Sequence, residues 1–164
     1  MPDQEDLPAV ARAIIDANVY MALGTADATG RQWVSPVFYA CWEYREFYWM
    51  SSLEATQVRN IAARPEVSIV IFDSQIPVGS GQAVYMSAVA GQVPDDEIDR
   101  GVEIYPGPPD RDASPITADQ VRPPGPYRLY RATVTQHSVL CPLSGPRPCP
   151  EHGRTSDHRT IVTV

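Results

Sequence analysis

The sequence predicts a mainly β, antiparallel domain of six or seven strands closing into a small barrel. Two or three short helices sit at its periphery. Three observations carry this. Strand-forming runs rich in Val, Ile, Phe, Tyr and Trp recur along the chain with turn residues between them. The turns fall at regular spacing, which suggests a small closed or nearly closed barrel. At 164 residues the chain is one domain, 1–164, large enough for a real core and too small for two.

The elements follow in order. Leu7 to Asn18 places Leu7, Val10, Ala11, Ile14 and Ile15 on one stripe, which reads as an amphipathic helix. Val19 to Ala26 is a strand, and Asp27 to Gly30 a turn. Gln32 to Tyr44 and Glu46 to Ser51 form an aromatic-rich hairpin. Glu54 to Ala63 is a helix, stopped by Arg64-Pro65. Val67 to Phe72 and Gln82 to Val93 are strands, separated by the turn Val78 to Gly81. Asp95 to Tyr105 is a second helix, with acidic residues at its positive end. The prolines between Pro106 and Pro126 thin out regular structure. Tyr127 to Leu140 is a long strand, Cys141 to Asp157 a Pro- and Gly-rich loop, and Arg159 to Val164 the closing strand.

Composition excludes several functions. A net charge of −7 and a pI near 4.8 oppose binding to nucleic acid or anionic membrane, which need basic surface. No apolar run approaches the roughly 20 residues of a membrane span. The start MPDQEDLP is acidic and polar, unlike a signal or transit peptide, so a cytoplasmic location is the default expectation. The chain contains no lysine, so a lysine Schiff base and a Walker-type phosphate lysine are both excluded. Any anion must be held by arginine, hydroxyls or backbone N–H groups.

The segment from Val34 to Asp73 concentrates the functional signals. Helix N-termini bind anions through unpaired N–H groups and the positive end of the dipole. Here the start of the helix carries Ser51, Ser52 and Thr56, with Arg59 one turn on. Ser51 to Glu54 also fits a capping box, a purely structural use of the same residues. Trp33, Trp42, Trp49, Tyr39, Tyr44 and Tyr48 can form a platform for a flat ligand, or belong to core or subunit interface.

His137, Cys141, Cys149, His152 and His158 are zinc-type ligands. One short Cys149–His152 pair without a matching second pair does not assign a metal, and none is assigned. Three cysteines do not read as a disulfide framework. No spacing indicates a nucleophilic triad, and no residue stands out as a general acid or base.

The run PVFYACWEYREFYWMSSLEATQVRNIAARPEVSIVIFD resembles the core of the pyridoxamine 5′-phosphate oxidase-like, flavin-binding split-barrel proteins. YRLYRATVTQHSVL and DHRTIVTV resemble the closing strands of the smaller members. The resemblance spans about Val19 to Val93 and Tyr127 to Val164. It implies a six- to seven-stranded antiparallel split barrel with two or three peripheral short helices. It also implies a homodimer with flavin mononucleotide (FMN), or a deazaflavin, bound between subunits. By that likeness the backbone of Val34, Ser35, Pro36 and Val37 lies along the flavin ring, while Ser51, Ser52, Thr56 and Gln57 approach the phosphate. Gln82 and Arg159 are further candidates, contributed by the other subunit.

Gln57 stands where many members carry lysine. Losing that cation forfeits a charge-assisted hydrogen bond of roughly 1.5–3 kcal/mol, which Arg59 is placed to offset. The function implied is FMN-dependent oxidoreduction of a small organic molecule. Deazaflavin-dependent reduction and non-catalytic ligand binding are the alternatives.

Overall fold

The computed structural model describes residues 6–141 and 147–164. The expectations for the first five residues and for positions 142–146 of the loop lie outside them. Helix α1 (Leu7–Ala17) leads into β1 (Tyr20–Ala26), β2 (Gln32–Phe38), β3 (Ala40–Trp42) and β4 (Glu46–Ser52). Helix α2 (Thr56–Ala63) is followed by β5 (Glu66–Phe72) and β6 (Ala83–Gln92), then α3 (Ile98–Ile104), β7 (Tyr127–Leu140) and β8 (Arg159–Val162).

All strand pairs are antiparallel, in the order β2-β1-β5-β6-β7-β4-β3, with β8 on the free half of β7. The two end strands, β2 and β3, are consecutive in the chain and separated by Tyr39 alone. The curled sheet is therefore closed by covalent chain rather than by hydrogen bonds at that seam, which makes it a split barrel.

The run expected as one strand, Gln32 to Tyr44, is thus two. Tyr39 breaks it because its side chain turns into the core and its hydroxyl donates to Ile15 O at 2.5 Å. Arg111 bridges the same place, donating to Tyr39 O and Ile15 O at 2.9 Å each. The hairpin after β3 turns through Glu43 and Tyr44, at φ 49° and 55°, without a glycine.

The strands alternate buried and exposed residues. Val67, Ile69 and Ile71 of β5 are buried, whereas Ser68 and Phe72 face outward. The barrel interior holds Leu23, Phe47, Trp49, Tyr130 and their neighbours, with Ile15 of α1 plugging it. Trp49 stacks on Tyr130, ring centroids 5.8 Å apart. Burying each such large side chain contributes about 1.5–3 kcal/mol. A second cluster, Tyr48, Val93, Ile98, Val121 and Leu129, packs α3 and the proline-rich segment onto the outside of β4 and β7.

The helical segments differ in detail. The helix expected over Asp95 to Tyr105 opens with a single tight turn, Asp95–Glu97, before α3 begins at Ile98. Two more single turns, Pro109–Arg111 and Ala118–Val121, lie within the proline-rich stretch.

Candidate functional site

Ser51 and Ser52 terminate β4, and α2 starts only at Thr56 with Ala55 as its N-cap. The capping box at Ser51 and Glu54 therefore does not form. Instead the Glu54 N–H donates to Ser52 Oγ at 3.3 Å, closing a turn that lifts the chain off the sheet. Ala55 brings no side-chain acceptor to the head of α2, so no cap competes there for an anion.

Gln57 sits in the first turn of α2 and links two strands. Its Oε1 accepts from Ser35 Oγ at 3.2 Å, and its Nε2 donates to Ser51 Oγ at 3.4 Å. Trp33 Nε1 donates to Ser35 Oγ at 2.8 Å, extending the chain of contacts along β2. Arg59 curls back over the same turn, donating to Glu54 O at 2.6 Å and Thr56 Oγ1 at 3.5 Å. Below these, buried Asn60 donates to Thr25 Oγ1 at 3.0 Å and fixes α2 against β1. Ser35, Ser51, Thr56, Gln57 and Arg59 thus gather at one end of the barrel, around the first turn of α2. Four neutral polar side chains and one guanidinium are a set that fits a phosphate.

The neighbouring members of β2 face the other way. The pairing register aligns Val34, Gly24, Ser68, Ser87 and Gln136 in one row across five strands. Ala22, Val70, Tyr85, Ser138 and Ile161 form the next row. Together they floor a groove of about 510 Å³ on the outer face of the sheet. Small residues make it concave: a Cβ on Gly24 would already press on Ser68 O at 3.3 Å. Arg159 closes one side, its guanidinium 3.7 Å from the Tyr85 ring centroid. The hydrophobic rim is open, with Val34 66% and Ile161 68% exposed.

Strand β2 thus divides the expected residues. Ser35 joins the α2 cluster, whereas Val34 and Arg159 line the groove. Gln82 joins neither. Its amide donates to Leu140 O at 2.9 Å and accepts from Leu140 N at 2.8 Å, extending the β6–β7 ladder by one rung. The six aromatic residues do not form one platform: Tyr39, Tyr48 and Trp49 are buried, and Trp33 and Trp42 are exposed in different places.

A second gathering lies at the end of β7. Cys141, Cys149, His152 and His158 bring their ligand atoms within 4.8 Å of one another. Burial raises the Cys141 thiol, while the Cys141 and His152 contacts lower that of Cys149. His137 is not among them; its Nε2 lies 2.7 Å from Tyr44 O. The sequence shows only the Cys149–His152 pair because the other pair is made by strand register. Leu140 pairs with Arg159, so Cys141 and His158 fall opposite each other, and Cys141 N donates to His158 O at 2.8 Å. No spacing rule reveals a pair 17 residues apart that only a hairpin closes.

Residues 7–138 match the pyridoxamine 5′-phosphate oxidase family. A search of curated proteins finds no match to the sequence. Among solved structures, a heme binding protein from Mycobacterium smegmatis superposes with a TM-score of 0.64 at 19% identity, over 92% of this chain and 55% of that one. The chain therefore spans only about half the length of that relative. An FAD-binding protein from Mesorhizobium loti gives 0.57 at 18% identity, over 80% of this chain and 91% of that one. An F420 reductase gives 0.55 at 18% identity, over 77% and 94%. At these identities the likenesses establish the shared fold. Among the described residues no helix is long and apolar enough to cross a membrane.

Proposed function

The chain belongs to the pyridoxamine 5′-phosphate oxidase family, and from that premise we propose that it is an FMN-dependent oxidoreductase acting on a small organic molecule. The observation that carries this is the cluster at the head of α2. Ser51, Thr56 and Gln57 offer hydroxyl and amide donors there, and Arg59 a cation, beside the terminal strand β2.

In this reading Ser51, Thr56, Gln57 and Arg59 hold the phosphate of the cofactor. Among the described residues strand β2 has only β1 as a neighbour, which leaves its far edge to align a flat ring from Val34 to Val37. The bound flavin supplies two-electron transfer, while the protein supplies orientation and electrostatics. The only cation in the cluster is Arg59, so binding rests mainly on neutral donors and backbone N–H groups.

We further propose a homodimer across the outer sheet face. Val34, Phe72, Val89 and Ile161 are exposed there, between 48% and 68%, and an apolar face of that kind favours a partner. A second copy would cover the groove and bring its own Arg159 to the shared cleft, between the subunits where the resemblance places the cofactor.

The F420 reductase among the fold neighbours favours a deazaflavin as the second reading. Absorbance decides between them. Titrating the purified protein with FMN and with a deazaflavin, then adding a nicotinamide donor and an acceptor, should give a bound yellow flavin that turns over. A bound flavin without turnover would support a ligand-binding protein. Failure to bind either flavin, with heme binding instead, would overturn the proposal.

A further inference from the structure

We propose that Cys141, Cys149, His152 and His158 form a structural zinc site that pins β8 to β7. This is independent of the flavin reading, and the cluster lies beyond the residues 7–138 that match the family.

The four donor atoms lie within 4.8 Å of one another, near enough to share one ion. Cys141 Sγ and Cys149 Sγ are 3.1 Å apart, and His152 Nδ1 is 3.8 and 3.6 Å from them. His158 Nε2 lies 3.1 Å from His152 Nδ1. A tetrahedral ion with Zn–S of about 2.3 Å and Zn–N of about 2.0–2.1 Å has ligand-to-ligand edges of about 3.3–3.8 Å. Two thiolates and two imidazoles are a zinc set rather than one for calcium or magnesium, which take oxygen.

The surroundings orient these donors as ligands. His158 Nδ1 lies 2.8 Å from Ser156 O, so it donates there and leaves the Nε2 lone pair turned to the cluster. Gly153, at φ 64°, allows the tight turn in which Gly153 N donates to Cys149 O at 2.7 Å. Cys149 N donates in turn to Arg154 O at 2.7 Å, which folds His152 back over the cysteine. The Thr160 hydroxyl on the adjoining strand is buried and has no hydrogen-bond partner.

Cys141, Cys149 and His158 are buried, and both cysteines are free. With four protein ligands the site has no open position, which is the pattern of structural rather than catalytic zinc. Its mechanical consequence is local. Strand β8 holds β7 through only four residue pairs, and Arg159 and Ile161 of that strand line the groove. An ion binding His158 and Cys141 would lock the first rung beyond those pairs.

The test is the metal content of untagged protein purified under reducing conditions. We expect about one zinc per chain, and Cys149→Ser and His158→Ala each to lose zinc by at least about tenfold. Replacement by Co²⁺ in the unaltered protein should give intense visible bands with sulfur-to-metal charge transfer, a readout that needs no variant to fold. Protein that holds neither zinc nor Co²⁺ would overturn the proposal. So would a Cys141–Cys149 disulfide detected by mass, or zinc retained unchanged in both variants.

Discussion

Gln57 Oε1 accepts a hydrogen bond from Ser35 Oγ at 3.2 Å, joining the first turn of α2 to β2 across 22 residues of sequence. The other end of the same amide reaches Ser51 at 3.4 Å. A neutral side chain therefore occupies the centre of the proposed phosphate site, where a cation would serve a dianion better.

Gln57→Lys should tighten FMN by roughly 1 kcal/mol at low salt, the net of a charge-assisted contact less the two amide hydrogen bonds it replaces. The gain should shrink as salt is raised, because added ions screen a partly exposed charge. Riboflavin, which lacks the phosphate, should bind unchanged. Titration of both ligands at two ionic strengths measures this, and equal gains for the two would place the phosphate elsewhere.

Thr56→Ala combined with Arg59→Ala removes the remaining donors of that turn. FMN affinity should fall by about 2–3 kcal/mol and riboflavin affinity by much less. Arg59 also donates to Glu54 O, so the double variant should be checked for intact α2 by circular dichroism. A parallel loss for both ligands would mean that the helix was disturbed rather than the phosphate site.

Much of this was legible in the sequence. Runs of strand-forming residues between turn signals placed nearly every strand, and the family-like Ser-Ser, helix, Arg-Asn-Ile order brought Ser51, Thr56, Gln57 and Arg59 to one place. What stayed hidden depends on long-range geometry. Tyr39 reads as one more strand aromatic, yet its hydroxyl bond to Ile15 splits the strand in two. Ser51 to Glu54 satisfies a local capping pattern that the sheet overrides by extending β4 through Ser52. Val34 and Ser35, adjacent in sequence, serve opposite faces because a strand alternates its side chains. The Cys141–His158 pairing follows from the β7–β8 register, which no local pattern encodes.

Arg111 should prove structural. It donates to Tyr39 O and Ile15 O and lies 4.8 Å from the Tyr39 ring centroid, holding the proline-rich segment against the barrel seam. Arg111→Met keeps the apolar stem and removes both charged donors. The expected loss is about 2–3 kcal/mol, read as a lower urea midpoint at unchanged m-value. An unchanged midpoint would show that water replaces both bonds without cost.

The last prediction concerns pH. Burial holds the His137 imidazole below its ordinary value of 6.5, against an opposing hydrogen bond to the Tyr44 carbonyl. The folded protein therefore keeps this ring neutral where the unfolded chain begins to protonate. Between the folded value and 6.5 the unfolded state binds more protons, so stability falls as pH drops through that window. Above 6.5 both states are neutral and this contribution is full and constant. Below the folded value both are charged, and the slope from this group vanishes. His137→Gln keeps an N–H donor for Tyr44 O but cannot titrate. Its stability should decline less steeply than that of the unaltered protein from neutral pH toward pH 5. The comparison is made by urea unfolding across that range, and identical slopes would show that His137 gains its proton equally well in both states.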